Sequence, residues 1–584
     1  MRVLLLHSED DFDGPWSRER WDWIVDLGRA PRSFYDERGT EFGCPVSSIY
    51  DFALEIRDTQ VWRELFAAGM GRVVDRFGLD WWDIVGLLLQ ERMQDVRLAV
   101  RLAEKIGGNC SLTASRSSLT ANAVQLQLGV RMQVLQSGVG ARVRNRAGRY
   151  RAALRNLSFD QLRQVAHDKF DPHYRWRRKF ARAIEPFSEP VVLLPTAYSN
   201  VTKTALNFAR CLPEQKFLLV VARESAAVSQ VPANVQVASL AAFAGEPTSA
   251  GEMRELESRW TGLERLLEKH SEFKLPIRLG IVHKGLEALR CWISVRDAWN
   301  RVFESFPVIG CLSADDTNPN TRIPMILANR REIPAMACHH GALDSRMAFK
   351  VPEFSTYLAQ GEMERDYLER ICRVDPDRIR VGTPSVARRE RLWKDDASWV
   401  VFFTEPYETD LWRTETIYRE VLPRLCAAAG QNGKKVLVKL HPFETVAQRE
   451  RQIRAILDEN ERKMVSVTAS PLSAEILANT WCAVTVESTV ASECAAAGIP
   501  AFLCGWLRHA YCGYMQQFAR FGVGRTLDSP GDLLRIPQFM PDARPASDVA
   551  ALLSQPIAKD AFAEILTKPI RSRAERALRM SSTA

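Results

Sequence analysis

Short apolar runs alternate with longer stretches of helical periodicity along the chain, and the alternation falls into three blocks. In the first, strands are predicted at Val3–Leu6, Trp23–Leu27, Val46–Tyr50 and Asn109–Thr113. Apolar positions from Trp81 to Ile106 predict a long helix, whole or broken once. The second block opens sharply at Pro190-Val191-Val192-Leu193-Leu194-Pro195, followed by a strand at Phe217–Val221 and a charged helical stretch from about 245 to 300. A strand–helix–strand unit comes next: Val308–Leu312, a helix near Asn320–Arg331, and Ala335–Cys338. The third block places strands at Trp399–Phe403, Val436–Leu440, Met464–Val467, Cys482–Val486 and Pro500–Leu503, with helices between them, including Thr414–Ala429. Parallel strands joined by helices imply doubly wound sheets with helices on both faces.

The pattern predicts an α/β chain of five parts. An N-terminal α/β accessory domain spans 1–140 and a basic helical connector 141–189. Two Rossmann-like domains follow at 190–390 and 391–540, and a helical tail runs over 541–584. The length of 584 residues, about four times a ~150-residue domain, accommodates these parts with full-sized cores. Hydrophobic residues at 46% and charged residues at 26% exclude a fibrous, collagen-like or largely disordered chain.

Charge changes the picture in one place. The net charge is +8, yet Arg142–Arg182 holds 13 Lys/Arg against 3 Asp/Glu, a local +10 that leaves −2 for the rest. One basic patch on a near-neutral body implies a local anionic partner and no nucleic acid. Tyr150, Trp176 and Phe180 among the arginines suit an interface with an anionic membrane surface or polymer; a solvated helical linker is the other reading. No run approaches the ~18–20 apolar residues of a membrane span, and Met1–Leu6 reads as a buried strand, not a targeting peptide. The 12 cysteines form no CxxC pair, which fits free thiols in a reducing cytoplasm and no zinc site.

In doubly wound sheets ligands bind beyond the carboxyl ends of the strands, so the residues after each run carry the candidate chemistry. His441-Pro442-Phe443-Glu444 follows Val436–Leu440. A histidine on a proline-fixed turn can donate to a phosphate, or simply occupy the turn. Glu487-Ser488-Thr489 precedes the helix Val490–Ala497, where hydroxyls and free N–H groups attract anions or serve as plain caps. Glu487 has the chemistry to bind ribose hydroxyls. In the second block, Ser313-Ala314-Asp315-Asp316 and His339-His340-Gly341-Ala342-Leu343-Asp344 end two successive strands. They bring carboxylates and imidazoles together as candidate general bases, although Asp316 could cap the following helix and one histidine could be merely packed. The acidic Glu9-Asp10-Asp11 at the first strand's tip either caps a helix or belongs to a second site.

Two successive Rossmann-like domains with these tips resemble a GT-B glycosyltransferase. The order of motifs is similar to bacterial surface-polymer transferases, above all the CDP-glycerol glycerophosphotransferases and the capsule Kdo and sialic acid transferases. Their His-Gly element looks like His340-Gly341, their Lys-Leu-His-Pro element matches Lys439-Leu440-His441-Pro442, and their Ser/Thr-rich element with a later proline resembles Glu487-Ser488-Thr489 through Pro500. Thr404-Glu405-Pro406, with Trp412-Arg413 downstream, sits where those families place the first loop of the nucleotide domain. The resemblance covers about residues 300–510 and leaves the first 185 unplaced. UDP-sugar epimerases share the architecture. Gly-Ala-Leu-Asp after the histidine, and Glu-Ser-Thr in place of an Asp-Tyr-Ser-Ser type element, depart from the CDP-glycerol pattern and favour a sugar donor.

The resemblance implies a GT-B-like pair of domains, 190–390 on the acceptor side and 391–540 holding a nucleotide-sugar. His441, Ser488 and Thr489 would neutralise the leaving phosphate, with Pro442, Glu487, Thr404, Glu405, Lys439 and Arg413 as further nucleotide or phosphate contacts. His340, or one of Asp315, Asp316 and Asp344, would deprotonate an acceptor hydroxyl, with inversion and without a metal or cofactor. A CMP-Kdo or CMP-sialic-type donor leads and a UDP-sugar follows. The acceptor is a cell-surface glycan or lipid-linked molecule, met in the cytoplasm or peripherally at the inner membrane face. A UDP-sugar epimerase or hydrolase on the same frame, and a non-catalytic scaffold of envelope-polymer synthesis, are the alternatives.

Overall fold

The computed structural model describes residues 1–135, 184–339, 355–384, 391–407, 413–507 and 514–567, apart from residues 8, 15, 17, 18, 53–55, 224, 225, 229, 246, 247, 443 and 487. The basic segment 142–182 and the candidates His340, Asp344 and Glu487 lie outside the described residues.

Three sheets are present, and every pairing within them is parallel. The first holds β1 (Arg2–Leu6), β2 (Trp23–Asp26), β3 (Val46–Ser48), β4 (Ser111–Ala114) and β5 (Met132–Val134) in the order β3-β2-β1-β4-β5. Its helices include α1 (Arg32–Phe42), α2 (Trp81–Ile106) and α3 (Leu119–Leu128). The stretch from Trp81 to Ile106 is one continuous helix.

The second sheet holds β6 (Val191–Thr196), β7 (Phe217–Val221), β8 (Val235–Ser239), β9 (Val308–Ser313), β10 (Ala335–Cys338), β11 (Thr356–Ala359) and β12 (Ile379–Val381). Their order is β12-β11-β10-β9-β6-β7-β8, and α4 (Ser199–Cys211) and α5 (Pro319–Arg330) connect its strands. The third sheet holds β13 (Trp399–Phe403), β14 (Lys435–Lys439), β15 (Val465–Thr468), β16 (Thr480–Thr485), β17 (Ala501–Cys504) and β18 (Arg525–Leu527) in the order β15-β14-β13-β16-β17-β18. Its helices include α6 (Thr414–Gln431), α7 (Val446–Ile456) and α8 (Val490–Ala496). Near the end of the described chain, α9 (Lys559–Thr567) returns to the second sheet, where Phe562, Ile565 and Leu566 join the core around β6 and β9. A Cβ on Gly310 of β9 would stand 2.7 Å from the Leu566 carbonyl oxygen, so α9 lies almost on the strand.

Each sheet is a doubly wound, Rossmann-like layer, in which the strand order reverses between the first strand and the fourth. Chemistry drives this arrangement. The central strands β6, β7 and β16 are buried at every position, as expected for strands covered on both faces. The described residues divide into two compact units: one holds 1–55, 93–135 and 391–550, the other 56–92, 184–384 and 551–567. The predicted central strands lie within two residues of their expected positions at either end. β5, β8, β11, β12 and β18 carry no long apolar run and escape the pattern.

Candidate functional site

In the third sheet the reversal lies between β13 and β16, and the residues beyond the carboxyl ends of β13, β14 and β16 converge there. β13 runs into Thr404 and Glu405, both buried. Thr404 N donates to Lys439 O at 3.0 Å, and Thr404 Oγ1 hydrogen-bonds Glu444 Oε2. β14 ends at Lys439, and His441 N donates to Thr404 Oγ1 at 3.2 Å and to Glu444 Oε2 at 2.8 Å. From β16, Thr485 Oγ1 shares its one hydrogen between Phe403 O at 3.1 Å and Glu405 Oε1 at 3.0 Å. The structure therefore links Thr404, Lys439 and His441 by hydrogen bonds at the tips of β13 and β14, and holds Glu405, next to Thr404, against Thr485 of β16.

Glu444 and Arg449 hold that group from behind. Arg449 Nε, on α7, pairs with Glu444 Oε1 at 2.8 Å, and both side chains are almost fully buried. Burial raises the Glu444 pKa, and the Arg449 charge and three donated hydrogen bonds oppose it. Burial also lowers the His441 pKa, against the Glu405 charge and with help from Lys439, so the imidazole is neutral at pH 7 and offers a hydrogen bond, not a charge. Burial lowers the Lys439 pKa as well, with Glu444 opposing. The ammonium donates to Leu440 O at 2.7 Å. The His441 ring is half-buried and Pro442 is exposed, so the group opens toward solvent at this turn.

Ser488 and Thr489 lie in the loop after β16, next to β13 in the sheet. Ser488 Oγ accepts from Val490 N at 3.4 Å. Thr489 stands at the start of α8 without capping it through its side chain. Arg413 has another partner. Its Nη2 meets Asp26 Oδ1 at 2.6 Å and its Nε meets Asp26 Oδ2 at 3.3 Å, both groups buried, with the rings of Phe12 and Phe34 beside the guanidinium.

The second sheet reverses between β6 and β9. Beyond β9, Asp315 Oδ1 accepts from Thr317 N at 2.9 Å and Thr317 Oγ1 at 2.8 Å, which folds the tip into a tight turn. Asp316 is fully buried, and its carbonyl accepts from Arg322 Nη1 at 2.9 Å, while Arg322 Nη2 pairs with Asp83 at 2.5 Å. The cap of α5 is Asn318, whose Oδ1 accepts from Asn320 N at 2.9 Å, so Asp316 does not cap that helix. Beyond β10, His339 is buried and its carbonyl accepts from Gln360 Nε2 at 3.1 Å. Thr196 Oγ1, at the end of β6, is fully buried without a hydrogen-bond partner among the described residues.

The sequence reading named neither Thr485 and Arg449 nor Thr196. Glu444 stood in the quoted His-Pro-Phe-Glu turn without a role. Thr485 and Thr196 are the last residues of buried strands, a position that could have singled them out; Arg449 carried no such signal. Among the described residues no three His, Cys, Asp or Glu side chains group to hold a metal ion, and no helix is long and apolar enough to cross a membrane.

No family model matches the chain, and no curated protein matches it. Among solved structures it is similar to the UDP-GlcNAc 2-epimerase of Neisseria meningitidis bound to UDP-GlcNAc, at 9% identity over 68% of this chain and 100% of that one, with a TM-score of 0.36. It is similar to the Methanocaldococcus jannaschii UDP-GlcNAc 2-epimerase in complex with UDP-GlcNAc and UDP, at 12% identity over 68% and 99%, TM-score 0.36. A glycosyltransferase from Rickettsia africae stands at 7% identity over 68% and 97%, TM-score 0.33. None is near enough to carry its reaction over to this chain.

Proposed function

We propose that the chain is a glycosyltransferase of GT-B type that takes a sugar from a nucleotide-activated donor to a glycan or lipid-linked acceptor. The observation that carries this reading is the convergence of Thr404, Glu405, Lys439 and His441 at the β13/β16 reversal, where doubly wound sheets hold nucleotides. The third sheet holds the donor. His441 donates to the departing phosphate from a turn that Pro442 stiffens, and the Ser488 and Thr489 hydroxyls add donors from the neighbouring loop. Glu405, held by Thr485, accepts from ribose hydroxyls, and Glu487 shares that role. Lys439 supplies the positive charge that the neutral imidazole lacks.

The acceptor hydroxyl loses its proton to a base drawn from Asp315 and Asp316, which follow β9, and from His340 and Asp344. Direct attack inverts the anomeric carbon and requires no metal. A cytidine-linked sugar is the favoured donor and a uridine-linked one the next. The basic segment 142–182 contacts an anionic membrane surface or polymer.

Nucleotide release tests the reading. The full chain is incubated in EDTA with CMP-Kdo, CMP-sialic acid and UDP-GlcNAc, with and without an envelope glycan fraction. The expected result is release of one nucleotide, accelerated by the glycan. Equal release without the glycan favours a hydrolase, and no release from any donor overturns the proposal.

A further inference from the structure

The first sheet repeats the chain reversal of the other two, between β1 and β4, and the proposed transfer makes no use of it. At that point β1 runs into His7, β4 runs into Ser115, and α3 starts after Ser118. Ser115 Oγ donates to Asp11 Oδ2 at 2.5 Å, which uses its only hydrogen. Toward His7 Nδ1, 3.0 Å away, that oxygen can then only accept, so Nδ1 carries the imidazole proton. In the neutral ring Nε2 is left as an acceptor, and the group 2.7 Å from it is Ser118 Oγ, which must donate. Ser118 Oγ accepts one N–H, from Ala121 at 3.1 Å, and keeps one lone pair for another atom.

The ring is also fixed from its backbone. His7 N donates to Asp11 Oδ2 at 2.9 Å, and Arg116 Nη2 donates to His7 O at 3.0 Å. Asp11 and Ser115 are buried, whereas His7 and Ser118 are partly exposed. The hydrogen bonds thus run one way, from the half-exposed serine through the imidazole to a buried carboxylate. This is the relation of nucleophile, base and orienting group used in acyl transfer.

We propose that Ser118 is the nucleophile of a second active site, which removes the acyl group of a carboxylic ester. Ser118 Oγ attacks the ester carbonyl carbon while its proton passes to His7 Nε2. The bond from that carbon to the alkoxy oxygen breaks, and the departing alcohol takes the proton from Nε2. Water then attacks the acyl-serine, giving its proton to His7, and the acid leaves as Ser118 recovers its hydrogen. Ala121 N and Asn122 N at the start of the ten-residue α3 are taken up by Ser118, which leaves the N–H groups of Leu119 and Thr120 as donors for the developing oxyanion. Ser115 and Asp11 act as positioning residues. This activity is separate from glycosyl transfer and stands or falls without it.

A fluorophosphonate probe tests the assignment on the full-length chain, with the labelled position read by peptide mass spectrometry. Label is expected at Ser118 and absent in Ser118→Ala. In His7→Ala the labelling rate falls about 100-fold or more and recovers in part with added imidazole. Ser115→Ala lowers the maximal labelling rate at an unchanged half-saturating probe concentration, and Ser117→Ala labels like the wild type. A wild-type chain that takes no label, or a label that persists in Ser118→Ala, overturns the proposal and leaves the four residues as a structural clasp. Wild-type thermal unfolding of each variant separates lost chemistry from lost fold.

Discussion

Glu444 and His441 are three residues apart, and burial pushes both toward their neutral forms. The carboxylate is ion-paired with the buried Arg449, while the imidazole feels the Glu405 charge on one side and the Lys439 charge on the other. Removing one member of such a pair costs far more than the pair itself is worth, because the other stays buried and unpaired. Arg449→Leu is expected to destabilise the fold by about 3–5 kcal/mol near pH 7.5. The loss should shrink near pH 5. Glu444 already has a raised pKa, and removing Arg449 raises it further. The folded state then holds a proton more tightly than the unfolded chain, and the penalty of the ionised form arises only as pH climbs through the folded pKa. Urea unfolding at the two pH values measures this, and equal losses at both would contradict it. In the proposed site His441 serves a phosphate through donor geometry, since burial lowers its pKa and leaves the ring neutral at pH 7.

At the scale of elements, Arg413 shows how a residue in the loop before a helix joins two sheets. It precedes α6, and its guanidinium is bound to Asp26 at the end of β2, so it ties two sheets of one unit together. The residues are 387 positions apart in sequence, which hid the pairing from any local reading. Arg413→Met is expected to cost about 3–5 kcal/mol of stability in urea unfolding while leaving nucleotide affinity within about twofold. A large loss of affinity with unchanged stability would instead place Arg413 on the phosphate. Four of the five strands that escaped sequence analysis share a physical cause, and β11, buried at all four positions, does not. β5 and β18 are three residues long and only partly buried, and β12 is equally short, so none needs an apolar run to stay paired. β8 mixes buried with exposed positions. The central strands were legible because burial on both faces writes a continuous apolar run.

At the scale of the whole molecule, the chain carries the same doubly wound design three times, and each reversal of strand order gathers polar residues at strand tips. The central strands of all three sheets could be read from runs and turns alone. The tips were legible as motifs, because His441-Pro442 and Ser488-Thr489 stand where short apolar runs stop. Their supports were not. Thr485, Glu444 and Arg449 act through contacts that only the assembled sheet creates, and the His7–Ser118 chain joins residues more than a hundred positions apart. The central claim is that the tips of the third sheet hold a nucleotide. Calorimetric titration of CMP, CDP, UDP and GDP into wild type and His441→Ala, without added metal, tests it most directly. The account predicts that a cytidine or uridine nucleotide binds and that the substitution weakens it by about 1.5–3 kcal/mol, as for a hydrogen bond lost to a charged group. Absence of binding by all four, or equal binding by the two proteins, would contradict it.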